Sequence, residues 1–382
     1  MSLPKTLPPE GIGEAAALAL VGELITTRSA DLGAPHALAH MDPPPPAIAA
    51  SLVGQSAGVN QNLLHPDLSP FASEAEARVI AWLAPPFGMA AGHLCAGSSI
   101  ANLTGLWAAR EHGATRVVAS ADAHLSIAKA AHILGLPLIS CPVDNAGRLD
   151  VAALPGLSGA ALVLTAGTTG RGAIDPLARQ GALWCHVDAA WAGPLRLTAH
   201  APRVAGLEAA DSLAVSAHKW LFQPKDSALV LFRDPAAQKS VSFGGAYLAV
   251  PNLGVQGSRS AAGVALLGTL LAWGTAGLAA RIERCVHLIE ALAERLAADP
   301  RARLTTNPQS AVLTWTPRDG DTEALIRQLG ATASRTAIAG EAQVRHVAAN
   351  PAADLEAVWA RIDAALTPPR ATRPGAAPRS SH

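Results

Sequence analysis

Apolar positions along the chain fall into two regimes. Residues 14–28 have helical spacing, and a proline block, Pro43–Pro46, follows. Proline lacks the donor and the dihedral freedom that a helix interior or a central strand needs, so residues 1–50 are expected to wrap over a surface or a partner subunit. Residues 74–84 predict a helix introduced by Ser69-Pro70, with Ser73 as its cap and Val79, Ile80 and Leu83 on one face. Short apolar runs then alternate with helical stretches. Strands are predicted at 116–119, 138–139, 160–165, 183–187, 213–215 and 228–232, and helices at 100–111 and 127–134. That alternation predicts an α/β fold with a mainly parallel sheet covered by helices on both faces. The pattern changes near Gly257. Residues 261–296 read as a long helix interrupted around 274–277, followed by a strand at 311–315 and helices at 322–329 and 353–366. The expected organisation is a wrapping segment at 1–50, a large domain at 51–257, a small C-terminal α+β domain at 258–366 and a disordered tail at 367–382.

Composition narrows the partners. Of 382 residues, half are apolar and 15% charged, with 29 acidic residues balancing 29 lysines and arginines. A sizeable core is available, and the absence of a basic patch argues against nucleic acid as the main partner. Residues 261–280 come nearest to a membrane-spanning run but are broken by glycines, threonines and a tryptophan, so no membrane is expected. The first residues lack a signal-peptide pattern. Cys95, Cys141, Cys185 and Cys285 are far apart, without a Cys-x-x-Cys pair. They read as reduced thiols of a cytoplasmic protein, and no metal site is expected.

Lysines are scarce: Lys5, Lys129, Lys219, Lys225 and Lys239. Lys219 follows His218 just past the apolar run 213–215 and Ser216, a setting that lowers an amine's pKa and makes it nucleophilic. A surface lysine at a strand end would give the same tetrapeptide. Four other stretches lie at predicted strand ends or helix starts, where open α/β sheets bind ligands. Gly92–Leu103 sets small residues and the hydroxyls of Ser98 and Ser99 at a helix N-terminus, suited to an anion or to ordinary capping. His124 begins a helix and either stacks on an aromatic cofactor or caps. Leu164–Pro176 is a glycine-rich turn after a buried strand. Asp188 ends another strand, and a buried carboxylate needs a partner, either a protonated ring nitrogen or an arginine.

In this order and spacing, the residues resemble the pyridoxal-phosphate-dependent group II amino acid decarboxylases of the aspartate-aminotransferase-like fold (fold type I). The resemblance covers residues 43–366. It rests on Ser69-Pro70 with Glu74 and Glu76, Gly-Ser-Ser-x-Ala-Asn, His-x-Ser-x-x-Lys-Ala, Gly-Thr-Thr-x-x-Gly-Ala-x-Asp-Pro, His-Val-Asp-Ala-Ala-Trp, Ala-Asp-Ser with His-Lys-Trp, and Val-Arg-His-x-x-x-Asn-Pro. It implies decarboxylation of an L-amino acid to an amine and carbon dioxide. Lys219 would bond the cofactor, Ser98, Ser99, Ser216 and His218 would hold its phosphate, and His124 would stack on its ring. Asp188 would pair with the ring nitrogen, Ala190 would pack beneath it and Thr165 would lie near its oxygens. Arg345 would take the substrate carboxylate, and His65 to Phe71 would line the entrance, in a site shared across a homodimer. Lys219, His124 and Asp188 are the residues this assigns to the chemistry.

Two departures stand out. Ile100 and Cys95-Ala96 replace more polar residues around the phosphate turn. Residues 248–258 are shorter than the usual mobile loop and carry no tyrosine, leaving Tyr247 as the chain's single tyrosine. The proton returned to the substrate carbon then comes from Tyr247, His124 or water, or the chemistry differs. Aldehyde formation coupled to decarboxylation, aldol cleavage, transamination and a non-catalytic relative are the alternatives. The entrance residues Asn60, Asn62, His65 and Phe71 do not select a substrate side chain.

Overall fold

The computed structural model describes Leu3, residues 5–7 and residues 9–367; the expected disordered tail lies almost entirely outside the described residues. Helices α1 (Glu14–Arg28) and α2 (Ala47–Gly58) precede α3 (Pro70–Leu83). The large sheet then builds from β1 (Ala91–Cys95), β2 (Arg116–Ser120), β3 (Leu138–Cys141), β4 (Ala160–Thr165), β5 (Trp184–Asp188), β6 (Ser212–Ser216) and β7 (Ala228–Phe232). Helix α4 (Ser98–Glu111) follows β1, and α5 (Leu125–Leu134) follows β2. Beyond the sheet come α6 (Pro235–Lys239), a two-residue pairing of β8 (Ser242–Phe243) with β9 (Asn252–Leu253), and α7 (Ala262–Ala298). A second sheet comprises β10 (Ala302–Thr306), β11 (Val312–Pro317), β12 (Ser334–Ile338) and β13 (Glu341–Val347), with α8 (Thr322–Leu329) and α9 (Leu355–Leu366).

The seven strands of the large sheet run in the order β1-β7-β6-β5-β4-β2-β3. All pairings from β3 through to β6 are parallel, and β7 runs antiparallel to both β6 and β1. The sheet is therefore mainly parallel, as the alternating pattern predicts. Strands β4, β5, β6 and β7 are buried at every position, which is why they read as continuous apolar runs. The smaller sheet is antiparallel, in the order β10-β11-β13-β12. Helix α7 packs against α2, α3, β10 and α9. By length and composition alone it could cross a bilayer; in the structure its buried positions fall in two stretches, Gly263 to Thr269 and Leu278 to Leu296, and Gly274 (φ 62°) interrupts it between them, where the sequence predicts a break.

Some elements begin earlier than their patterns suggest. Helix α3 starts at Pro70 rather than at 74, with Ser69 at the N-cap and Ser73 already inside its first turn. The Ser69 hydroxyl does not cap the helix; it accepts the Asn62 N–H at 2.8 Å. Helix α5 starts at Leu125 because His124 is its cap, the ring Nδ1 accepting the Ser126 N–H at 3.2 Å.

Candidate active site

The parallel sheet brings the expected residues together at one edge. Thr165, Asp188 and Ser216 are the last residues of the adjacent strands β4, β5 and β6. Thr165 lies opposite Asp188, and Asp188 opposite Ala214. The turns after β1 and β2 add the start of α4 and His124 at the same C-terminal edge, where the crevice of an open α/β sheet binds its ligand.

Lys219 follows β6 and is partly buried. Burial lowers its amine pKa, the nearby cations Lys225 and Arg345 lower it further, and Asp188 and Asp42 oppose them. The amine is thus biased towards its neutral, nucleophilic form. His218 is pushed down to about 4, first by burial and then by Lys225 and Lys219. Burial also lowers His124, against the pull of Asp188. His124, Asp188, Lys219 and Arg345 therefore lie within one electrostatic cluster.

The fit to a phosphorylated cofactor can be tested on unpaired atoms. Ser98 Oγ, Thr165 Oγ1, Ser216 Oγ and His218 Nδ1 are buried without a hydrogen-bond partner. Each is a residue expected to hold the cofactor, and buried polar atoms left unpaired in a fold need an account. Gly97 caps α4 with φ 92° and offers no side chain to its first N–H groups, and a Cβ there would lie 3.6 Å from the His218 ring. The start of α4 and the His218 ring are thus neighbours, and free helix N–H groups, orphaned hydroxyls and a ring nitrogen are the groups that a phosphate dianion requires. Ser99 is exposed on the same first turn. Ala190 is buried beside Asp188, whose Oδ1 accepts its N–H at 3.2 Å. The residues present fit pyridoxal phosphate.

Arg345, on β13, is 8% exposed. Its guanidinium donates to Thr169 O at 2.7 Å, Ser334 Oγ at 3.0 Å and Ala39 O at 3.4 Å. Three neutral acceptors orient it, and no carboxylate forms an ion pair with it among the described residues. A buried, oriented cation that forms no direct ion pair among the described residues, with the charge of Asp42 acting on it, is suited to an anionic substrate group.

The entrance residues are not joined to this cluster. Phe71 is 59% exposed on α3, and His65 faces Tyr247 with ring centroids 6.3 Å apart. The segment after Tyr247 is tied down: β9 pairs with β8, Gln256 Oε1 accepts the Ala96 N–H at 2.7 Å, and Arg259 forms a buried ion pair with Glu76. Tyr247 itself is 73% exposed at the tip of that excursion.

Sequence reasoning quoted Asn102, Ser126 and His186 within motifs without giving them roles. In the structure all three are buried around Asp188. Asn102 Nδ2 donates to Asp188 Oδ2 at 3.0 Å and to Ser126 Oγ at 2.8 Å, and its Oδ1 accepts from His186 Nε2 at 2.9 Å. Asp175, which ends the glycine-rich turn, accepts the Thr165 and Leu149 N–H groups at 2.7 Å each, and burial raises it to about 6. The signal available in the sequence was polar residues at strand and helix positions that the pattern marks as buried.

Residues 25–315 match the family model described as the pyridoxal-dependent decarboxylase conserved domain. The chain is 37% identical over 330 residues to the L-2,4-diaminobutyrate decarboxylase of Rhizobium meliloti, covering 75% of this chain and 66% of that protein. It is 35% identical over 291 residues to a probable L-aspartate decarboxylase of Halobacterium salinarum, covering 71% of this chain and 80% of that one. In three dimensions it resembles the glutamate decarboxylase domain of diaminobutyrate-pyruvate transaminase and L-2,4-diaminobutyrate decarboxylase from Vibrio parahaemolyticus. The TM-score is 0.82 at 20% identity, covering 94% of this chain and 87% of that one.

Proposed function

Because the chain belongs to the pyridoxal-dependent decarboxylase family, we propose that it removes the α-carboxylate of an L-amino acid as carbon dioxide and releases the amine. The observation that carries this reading is the Lys219 amine, lowered by burial and within the field of Asp188, at the strand ends that also carry the orphaned Thr165 and Ser216 hydroxyls, together with the orphaned Ser98 and His218 atoms. When bound, pyridoxal phosphate supplies a protonated aromatic ring that accepts the electron pair left on the substrate carbon as the carboxylate departs.

The chain's own residues do the rest. Lys219 would hold the cofactor through its amine, Ser98, Ser99, Ser216 and His218 would take its phosphate, and Thr165 and Ala190 would complete its binding site. Asp188 keeps the ring nitrogen protonated by presenting a buried carboxylate. His124 would stack on the cofactor ring. Its Nδ1 accepts from Ser126, so its proton sits on Nε2, where it can be passed to the substrate carbon. Arg345 fixes the substrate carboxylate, and orientation is part of catalysis because the breaking bond must stand across the ring plane. Tyr247, exposed and outside the cluster, is not needed for this route.

Two further properties belong to the same reading. The protein is a homodimer: α1 buries none of its residues, and Leu18, Val21 and Ile25 on it are 77%, 48% and 62% exposed, a stripe that a second copy would cover. His65 and Phe71 then line an entrance completed by the partner. The protein works in the cytoplasm, supported by four buried cysteines that form no disulfide.

Purified protein loaded with pyridoxal phosphate should release carbon dioxide and the matching amine from at least one member of an L-amino acid panel. That panel includes 2,4-diaminobutyrate, aspartate and tyrosine, which appear in the names of relatives. Aldehyde with oxygen uptake would instead favour the coupled oxidative reaction, and turnover of no amino acid would reject the assignment.

A further inference from the structure

The hydrogen bonds behind Asp188 form one chain whose direction is fixed. An ionised carboxylate only accepts, so the Asn102 atom 3.0 Å from Asp188 Oδ2 is the amide nitrogen. Its oxygen then faces His186 Nε2, which must carry the proton. The other ring nitrogen, Nδ1, accordingly accepts from Ser212 Oγ at 2.8 Å, and Ser212 Oγ accepts the Trp184 Nε1–H at 3.0 Å. On the opposite side, Asn102 Nδ2 also donates to Ser126 Oγ, whose hydroxyl is 2.8 Å from His124 Nδ1. Every donor from Trp184 to His124 points the same way, and Asn102, His186 and Ser212 are fully buried. Burial holds His186 down to about 4, so at neutral pH it has the single proton that this direction requires.

The fold makes room for the chain at a specific glycine. Gly105 lies one turn after Asn102 on α4, and a Cβ there would be 2.5 Å from two atoms of the His186 ring and 3.1 Å from Ser212 Oγ. Helix α4 thus presents an amide and a gap on one face, and the His186 imidazole fills the gap while bonding the amide.

We propose that Asn102 and His186 are positioning residues for the cofactor: through one amide they fix the Asp188 carboxylate that would pair with the ring nitrogen and the tautomer of His124. This rests on the reading of Asp188 and His124 given above. Asp188 keeps Oδ1, which among the described residues accepts only the Ala190 N–H, for the ring nitrogen, because Oδ2 is engaged by Asn102. Losing His186 leaves the Asn102 oxygen buried and unpaired, which removes the bond that holds the amide in place behind the carboxylate.

The test compares Asn102→Ala, His186→Leu, His186→Gln and Asp188→Ala, together with the double variant Asn102→Ala/Asp188→Ala. For each, the pyridoxal phosphate dissociation constant of the apo-protein, the pH dependence of the holoprotein's visible absorbance and the apo melting temperature are measured. Asn102→Ala and His186→Leu should weaken cofactor binding roughly 10- to 100-fold, the range typical of residues that orient a site's ligands, and should shift the absorbance–pH profile. His186→Gln, which keeps a donor towards Asn102, should recover most of the binding. In the Asp188→Ala background the effect of Asn102→Ala should largely vanish, since coupled residues are non-additive. The proposal fails if Asn102→Ala and His186→Leu lower the melting temperature while cofactor affinity and absorbance profile stay as in the unmodified protein. It fails equally if Asn102→Ala keeps its full effect without Asp188. Unchanged binding in Asp188→Ala itself would instead overturn the site assignment, together with the positioning roles built on it.

Discussion

Replacing Gly105 with alanine sets two known effects against each other. In an unconstrained helix the change stabilises by about 1 kcal/mol, because alanine is the better helix former. Here the added Cβ would meet His186 Nδ1 and Cε1 at 2.5 Å. Reaching ordinary contact near 3.5 Å needs a displacement of about 1 Å. The ring cannot yield freely: it is fully buried and held at both nitrogens, by Ser212 at 2.8 Å and by Asn102 at 2.9 Å. A shift of that size cannot be made without straining this pair of bonds, and losing one of them leaves a buried donor and a buried acceptor unpaired. Each buried polar group left unpaired costs about 1–3 kcal/mol, so losing one bond, which strands two groups, should outweigh the helix gain by roughly 1–5 kcal/mol. Urea unfolding of the apo-protein near neutral pH measures the balance. The Gly105→Ala midpoint should fall with little change in slope, and cofactor affinity should fall with it. A midpoint that rises, as helix propensity alone predicts, would refute the packing argument.

Other expectations follow from single interactions. Lowering pH should destabilise the fold through buried histidines: His346 is held at about 4, chiefly by burial. A folded-state pKa below the unfolded 6.5 contributes stability that is complete above pH 6.5 and is lost as pH falls towards 4, on the order of 3 kcal/mol for this group. Urea midpoints should drop across that window in the unmodified protein and less steeply in His346→Gln; equal slopes would contradict the assignment. Glu76→Gln should cost about 3 kcal/mol in urea unfolding, because it strands Arg259 in a buried ion pair and weakens the bond to the Leu94 N–H; a change near zero would show the pair to be solvent-screened. Arg345→Lys should raise KM by roughly 10- to 100-fold through loss of a forked, charge-assisted contact. Cofactor affinity should be retained; a loss of cofactor binding instead would place Arg345 elsewhere in the site.

Much of this architecture was legible because burial leaves a mark on sequence. The fully buried strands β4 and β7 coincide with the apolar runs at 160–165 and 228–232, and the helices at 14–28 and 322–329 have the predicted bounds. The missed elements lack that mark. Strand β1, Ala-Gly-His-Leu-Cys, has no β-branched residue, and β13 carries Gln343, Arg345 and His346 in its buried half. Helix α2 follows the proline block and buries only Ala49, so its spacing is weak. For the site, the motif residues pointed to Lys219, Asp188 and His124 because their chemistry is distinctive. The chain from Trp184 to Asn102 was invisible: it joins β5, β6 and α4, and only the fold shows that Gly105 clears the space in which the His186 ring bonds Asn102. The loop after Tyr247 is short in sequence, and the structure adds that Gln256 and Arg259 fasten its end to the phosphate turn and to α3.

The central claim is that Lys219, and no other lysine of the chain, holds the cofactor. Borohydride reduction of the pyridoxal-phosphate-loaded protein makes that attachment permanent, and tryptic mass spectrometry then locates it. A modified lysine resists trypsin, so the account predicts one phosphopyridoxyl-bearing peptide, residues 204–225, and its disappearance in Lys219→Ala. The modification found instead on Lys129, Lys225 or Lys239, or on no peptide at all, would contradict it.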